Sequence, residues 1–230
     1  MREFPRNLLY IIALIAVAAA AFHYHTQAPP QHNPFKKLKL EDPIGIATYR
    51  KLSHVKRNPD KCFAALEEAG ILFTPRKDQS TGVGCGFKNA LTLDRSNAPY
   101  SATLSMTCAT TAALVIWERH VMMPNAEKYL GSPIAQIVTY GSYSCRNVAG
   151  SSRRSEHAMA NAIDVAAFKL ADGRTVDVKS NWGKDTPEGK FLKKVHSGAC
   201  RLFSVTLGPD YNAAHADHFH FDMGSGDLCR

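Results

Sequence analysis

The sequence predicts an α+β fold, an antiparallel sheet with flanking helices held by disulfides. Three observations lead there. Near the C-terminus, His218-Phe219-His220-Phe221-Asp222 alternates between polar and aromatic residues, the period of a strand with one buried face. Upstream, Cys108 to Val121 sets Ala109, Ala112, Ala113, Ile116 and Trp117 at helical spacing. Six cysteines, at 62, 85, 108, 145, 200 and 229, follow an apolar N-terminal run, as in an exported protein with its thiols paired.

Residues 1–25 read as a targeting segment. Arg2 and Arg6 give a positive flank to the apolar run Leu8 to Phe22, shorter than the about 20 residues of a full span. The small residues Ala18 to Ala21 permit cleavage, while continuation through Tyr24 permits a signal anchor, and both outcomes stay open. Either way the body of the protein is expected outside the inner membrane, in the periplasm, with residues 8–24 as the possible anchor. Residues 26–45, punctuated by Pro29, Pro30, Pro34 and Pro43, read as a partly extended linker, and 46–230 as the domain.

Within the domain, Cys62 to Gly70 reads as a helix stopped by glycine, followed by an extended Ile71-Leu72-Phe73. Gly82, Gly84 and Gly86 make a turn around Cys85, and no Gly-Lys-Ser/Thr follows to suggest phosphate binding. Leu91 to Leu104 divides into two strands about Asn97-Ala98-Pro99. After the Cys108–Val121 helix, Pro124 starts another that Gly131 ends. Ile134 to Tyr143 is a buried strand leading to the basic, Gly/Ser-rich loop Arg146 to Arg154, where Arg153 and Arg154 face solvent. Val165 to Phe168 and Thr175 to Val178 flank the hairpin turn Ala171-Asp172-Gly173-Arg174. Trp182 is expected at the edge of the cleft. Asp185-Thr186-Pro187-Glu188 caps a helix running towards Cys200, Leu202 to Leu207 is a strand, and His218 to Asp222 closes the sheet.

Hydrophobic content of 45% and charged content of 21% describe an ordinary globular chain. The net charge of +8 is spread along it, with one short cluster at Lys36-Lys37-Leu38-Lys39. No nucleic-acid motif accompanies that cluster, so general attraction to an anionic envelope is the simpler reading. No Cys-x2-Cys pair suggests a zinc ribbon. Of the fifteen possible disulfide pairings, the short intervening loop favours Cys62 with Cys85, and a bond from Cys145 would stiffen the loop beside the site.

The chemistry gathers in two stretches, Ser155 to Asp164 and His215 to Asp222. Catalytic zinc is held by three imidazole or carboxylate ligands with water in the fourth position. His157, Asp164 and His220 supply such a set, leaving Asp217 to act on the water as base. Period two puts His218, His220 and Asp222 on one strand face, where His218 donates to a developing oxyanion and Asp222 is a hydrogen-bond partner. Ser155 either steadies the loop of His157 or touches substrate. A second register, with His218 as ligand and His215 as base, also fits the spacing.

The pattern Ser-x-His-x6-Asp followed by His-x-His resembles the zinc peptidases grouped with lysostaphin, D-Ala-D-Ala carboxypeptidase and the hedgehog fold. From Tyr143-Ser144-Cys145-Arg146 through His157 to Asp222, the chain more closely resembles the bacterial extensin-like C-terminal domain family. It has no Pro-rich repeat of the plant cell-wall kind. The resemblance implies a hedgehog/D-Ala-D-Ala-peptidase-like fold and Zn2+ as cofactor. It further implies a peptidoglycan partner, with Arg146 binding the substrate peptide and stem peptides cleaved in cell-wall remodelling. It favours the register with Asp217 as base and His220 as ligand. Ala160 stands where the wider group usually has glycine, and its methyl is expected to narrow the site. The alternative is a catalytically inactive envelope-binding module that retains the metal cleft.

Overall fold

The computed structural model describes residues 6–230; Arg2, part of the expected positive flank, lies outside them. Helix α1 (Arg6–Gln27) exposes its apolar side chains, and Asn7–Gln27 is long and apolar enough to cross a membrane. Residues 26–45, expected as a linker, lie against the domain. Leu38 and Leu40 are buried in the core, and Lys51 Nζ donates to the carbonyls of Pro30 and Lys37 at 2.6 and 3.2 Å.

Helices α2 (Thr48–Lys56) and α3 (Pro59–Glu68) precede a three-stranded antiparallel sheet of β1 (Leu72–Pro75), β4 (Ala90–Arg95) and β5 (Leu104–Thr107) in the order β1-β4-β5. Between β1 and β4 the chain makes the hairpin of β2 (Gln79–Gly82) and β3 (Cys85–Phe87). Gly84 turns it at φ +67°, and a Cβ there would also stand 3.0 Å from the Arg154 side chain. Arg154 is exposed, as expected, and also holds this turn, donating to the Val83 carbonyl at 2.6 and 2.9 Å.

Helix α4 (Cys108–Trp117) is capped by Thr107 and buried on every side. A π-helical turn, Glu118–Met122, joins it to α5 (Met123–Leu130), which Gly131 ends at φ +64°. Pro124 lacks an N–H for the preceding turn, which accounts for the widened helix just before it. Glu118 in this turn is fully buried and accepts from Ser96 Oγ, Asn97 N, Asn97 Nδ2 and Tyr100 Oη at 2.9, 3.0, 3.0 and 2.5 Å.

The main sheet contains β6 (Ile134–Gly141), β7 (Ala162–Leu170), β8 (Thr175–Asp177), β9 (Val205–Leu207), β10 (Phe219–Asp222) and β11 (Leu228–Cys229). Its order is β11-β9-β10-β7-β6, with β8 also on β7, and every pair is antiparallel except β11 with β9. β10 therefore lies inside the sheet and does not close it, because β9 and β11 extend the sheet beyond it. The strand expected over 202–207 is confined to 205–207, although Leu202 and Phe203 are buried.

One face of this sheet carries α4 and, after the short α6 (Val178–Asn181), α7 (Pro187–Ala199), whose Thr186 cap accepts from Gly189 N at 3.2 Å. Trp117 anchors that layer, its ring 5.4 Å from Phe221 and 6.1 Å from Phe168, with Nε1 donating to the Val195 carbonyl at 2.8 Å. Trp182 packs 5.3 Å from Phe219 and from His196, on the core face. It therefore does not edge the cleft as expected, because Phe219 points away from the histidine face of β10.

All six cysteines are paired. Cys62 bonds Cys108, Cys85 bonds Cys145 and Cys200 bonds Cys229, so the expected Cys62–Cys85 bond is replaced. Loop length is a weak guide, because doubling it costs only about 0.6 kcal/mol. Burial decides instead: α3 points Cys62 at the start of α4, whereas the β2–β3 hairpin brings Cys85 to the loop after β6. Peptide mapping under non-reducing conditions should recover these three linked pairs; a peptide joining Cys62 to Cys85 would contradict the fold.

Candidate metal centre

Two neighbouring strands and one turn build the site. β7 and β10 pair so that Asp164 lies opposite His220. Directly opposed residues share a sheet face, so the carboxylate and imidazole meet as a consequence of register. His157 comes from the 3-10 turn Glu156–Met159, where Ser155 caps by accepting from His157 N at 3.4 Å. Ser155 is buried, and this cap steadies the turn.

Ala160 ends the turn in the left-handed region, at φ 54° and ψ 29°. A glycine adopts that conformation without a Cβ penalty, which explains why glycine suits this position. The Ala160 methyl is buried with Phe87 and Ala90, beside Tyr143. It packs against the β3 side, so the expected narrowing of the site does not occur.

His157 Nε2, Asp164 Oδ1 and His220 Nδ1 form a triangle with edges of 3.1, 3.0 and 3.1 Å, and all three residues are buried. Around tetrahedral zinc, with bonds of roughly 2.0–2.1 Å, such donors stand about 3.3 Å apart. The donor set fits that ion in type and spacing. The outward ring nitrogens are also held: His157 Nδ1 is 3.2 Å from the Ser142 carbonyl and His220 Nε2 is 2.9 Å from Asp222 Oδ2. Metal-binding imidazoles are commonly oriented by such outer contacts.

Electrostatics follow from this packing. Burial pulls the His220 imidazolium down, but hydrogen bonds and charge from Asp164 and Asp222 outweigh it and raise the pKa to about 9. Burial pushes Asp164 up, yet His157 and His220 hold it well below the usual carboxylate range. His215 lies beside the cluster, its ring 5.2 Å from His218 and 5.9 Å from His220. Burial, then the charges of His220 and His218, lower it to about 4, so it is a neutral imidazole.

Sequence order and spatial order differ at Asp217. Of Asp217 and His218 it is His218 that faces the donors, with Nε2 3.7 Å from Asp164 Oδ1. Asp217 stands behind it, Oδ1 2.9 Å from His218 Nδ1, and its side chain is 42% exposed against 12% for His218. The hydrogen bond from His218, then the charge of that ring, lower Asp217 against a smaller opposing effect of burial. Strand periodicity explains the order: positions 218 and 220 share a face, and Asp217 precedes the strand on the other phase.

Tyr140, expected only as part of the buried strand Ile134 to Tyr143, is exposed and borders the site. Its ring is edge-on to His218 at 5.5 Å and its hydroxyl is 3.5 Å from Asp217 Oδ2. The β6–β7 ladder shifts register between Thr139 and Gly141, and this bulge re-aims Tyr140. The signal available was its place near the end of a strand expected to enter the site. Arg146 is exposed in the loop tethered by Cys145, and its charge reaches His215.

The family model described as "Extensin-like protein C-terminus" matches residues 60–230, and the chain belongs to that family. Among curated proteins and solved structures, no match was found.

Two measurements test the centre. Ligand nitrogen must be unprotonated, so between pH 6 and 8 zinc uptake should displace about one proton, and affinity should fall as pH drops. Calorimetry in buffers of different ionisation enthalpy reads this directly; binding without proton release would contradict the cluster as described. Asp222→Asn should weaken zinc binding by roughly 10–100-fold, because it loosens the His220 ring. An unchanged affinity would remove Asp222 from the centre.

Proposed function

Given that membership, we propose that the chain is an exported zinc-dependent peptidase acting on the stem peptides of peptidoglycan. The observation that carries the reading is the convergence of His157, Asp164 and His220 beside the His218–Asp217 pair. The resemblance to lysostaphin-type and D-Ala-D-Ala peptidases supplies the substrate class. The paired cysteines and the N-terminal apolar helix agree with a site of action outside the inner membrane.

Zinc, when bound by these three residues, supplies Lewis acidity to a scissile carbonyl and makes water more acidic. The remaining work falls to side chains. With Nδ1 donating to Asp217, the neutral tautomer of His218 presents a bare Nε2 to the three residues. His218 then takes the proton of the attacking water and returns it to the leaving amine. Asp217 fixes the tautomer and stabilises the imidazolium that forms between these steps, as a carboxylate does behind a catalytic imidazole. In this reading His218 is the base, in place of Asp217, the base expected from the sequence. Arg146 is free to hold a substrate carbonyl or carboxylate with its planar fork. Neutral His215 donates from Nδ1 to Asn212 Oδ1 at 2.7 Å, which leaves its Nε2 as an acceptor at the rim beside the Tyr140 hydroxyl.

His218→Ala should cut release of stem-peptide fragments from purified sacculi by roughly 10²–10⁴-fold with zinc still bound. Asp217→Asn should cost less than His218→Ala, because it disturbs the base without removing it. A full-rate His218→Ala enzyme would return the role to Asp217. Zinc-loaded wild type that digests no murein substrate would instead favour the binding module.

A further inference from the structure

A second concavity lies between residues 34–38 and the helix pair α2–α3. It is a groove of about 650 Å³, within the roughly 300–1,000 Å³ typical of ligand pockets. Lys36, Lys37, Arg50, Lys51, Arg57 and Lys61 line it, against one acid, Glu68, among the described lining residues. Lys37 pairs with Glu68 at 2.8 Å, and buried Lys51 is occupied by backbone carbonyls. Among the described residues no ion pair involves Arg50, Arg57 or Lys61, and all three are exposed. The groove therefore holds uncompensated positive charge.

The chain that walls the groove is fastened to the end of α1. Asn33 is buried, and its Nδ2 donates to the His25 carbonyl at 2.8 Å. Tyr24 Oη donates to the His32 carbonyl, and Lys36 Nζ to the Ala28 carbonyl at 3.2 Å. Two large apolar side chains stand in water beside this junction. Phe35 is 69% exposed next to His25, and Ile46, whose N–H donates to His32 Nδ1, is 81% exposed.

Cations flanking a span are ordinarily kept on the cytoplasmic side. Here a cationic groove adjoins the disulfide-bonded domain, so membrane topology does not account for it. Exposed apolar groups suit the acyl boundary and cations suit the phosphates above it. We propose that this groove binds the phosphates of anionic phospholipid headgroups in the bilayer that α1 enters, holding the domain against the membrane surface. A free anion would have no use for Phe35, Ile46 or the tether to α1. The proposal rests on α1 entering a bilayer and is independent of the chemistry of the metal centre.

The test places the full chain in nanodiscs of phosphatidylcholine, alone or with roughly one third phosphatidylglycerol. Acetylation of Lys36, Lys37 and Lys61 is followed by mass spectrometry. Labelling should slow about fivefold or more in the anionic discs, and roughly 0.5 M salt should relieve the slowing. The double variant Arg50→Gln/Arg57→Gln, with both changes at exposed positions, should lose most of the slowing while melting like wild type. Equal labelling in the two discs overturns the proposal, as does full slowing in the double variant. Inorganic phosphate that protects the same lysines equally in phosphatidylcholine discs overturns it too, by making the groove a free-phosphate site. If the double variant fails to fold, wild type in the two discs, with and without salt, still decides.

Discussion

The pairing of β7 with β10 is the constraint on which the site depends. It sets Asp164 opposite His220, while the other face of β10 drives Phe219 and Phe221 into the core. A slip of one residue would put the phenylalanines in the cleft and the imidazoles in the core. Removing a buried phenylalanine side chain typically costs about 3–5 kcal/mol, so the register is held by core packing more than by anything at the site. Trp117 and Phe203, both against Phe221, thus fix the position of a histidine they never touch.

The third member of the cluster needs separate support, because His157 is not on a strand. Its turn is held at one end by the Ser155 cap and at the other by left-handed Ala160, a conformation costing roughly 1–2 kcal/mol for a residue with a Cβ. Several contacts oppose that cost. Ala160 O accepts from Thr107 N at 2.8 Å, Asn161 Nδ2 donates to Glu156 Oε2 at 2.7 Å, and Thr110 Oγ1 donates to Asn161 Oδ1 at 3.1 Å. The same turn is therefore tied to α4, the helix that carries Trp117. Behind β7, Thr139 Oγ1 donates to the Asp164 carbonyl at 2.5 Å, and Ser101 Oγ accepts from Thr139 N at 3.0 Å. The Ser101 loop is in turn fastened by buried Glu118. One connected scaffold reaches all three residues of the cluster.

What could be read in the sequence was local. The alternation of β10, the Gly131 stop and the Thr186-Pro187 helix start depend on neighbouring residues, and each formed. The antiparallel α+β architecture followed from those local periods. Disulfide pairing did not, since six cysteines give many pairings that differ little in loop entropy and are separated only by tertiary position. The order of Asp217 and His218 also escaped, because it depends on where the chain enters β10. Tyr140 was hidden by a bulge, a departure from the very periodicity used to read strands. Leu38 and Leu40 were masked by the prolines and lysines around them, and only packing against the helices reveals their burial.

Asp222 decides which kind of centre the three donors resemble. A structural zinc site is closed by four protein ligands, and a second carboxylate lies only two residues from His220. That carboxylate is already engaged, with Oδ2 on His220 Nε2 at 2.9 Å and Oδ1 accepting from Gly224 N at 2.8 Å. Withdrawing it to close the site would release the His220 ring and the backbone after β10 together. The side chains beyond the donors instead become more open, from His218 at 12% to Asp217 at 42%, with Tyr140 exposed beside them. A closed centre has no need of that gradient. The proposed hydrolysis has use for it, since an imidazole base with its carboxylate behind it would need substrate and the departing proton to pass on that side.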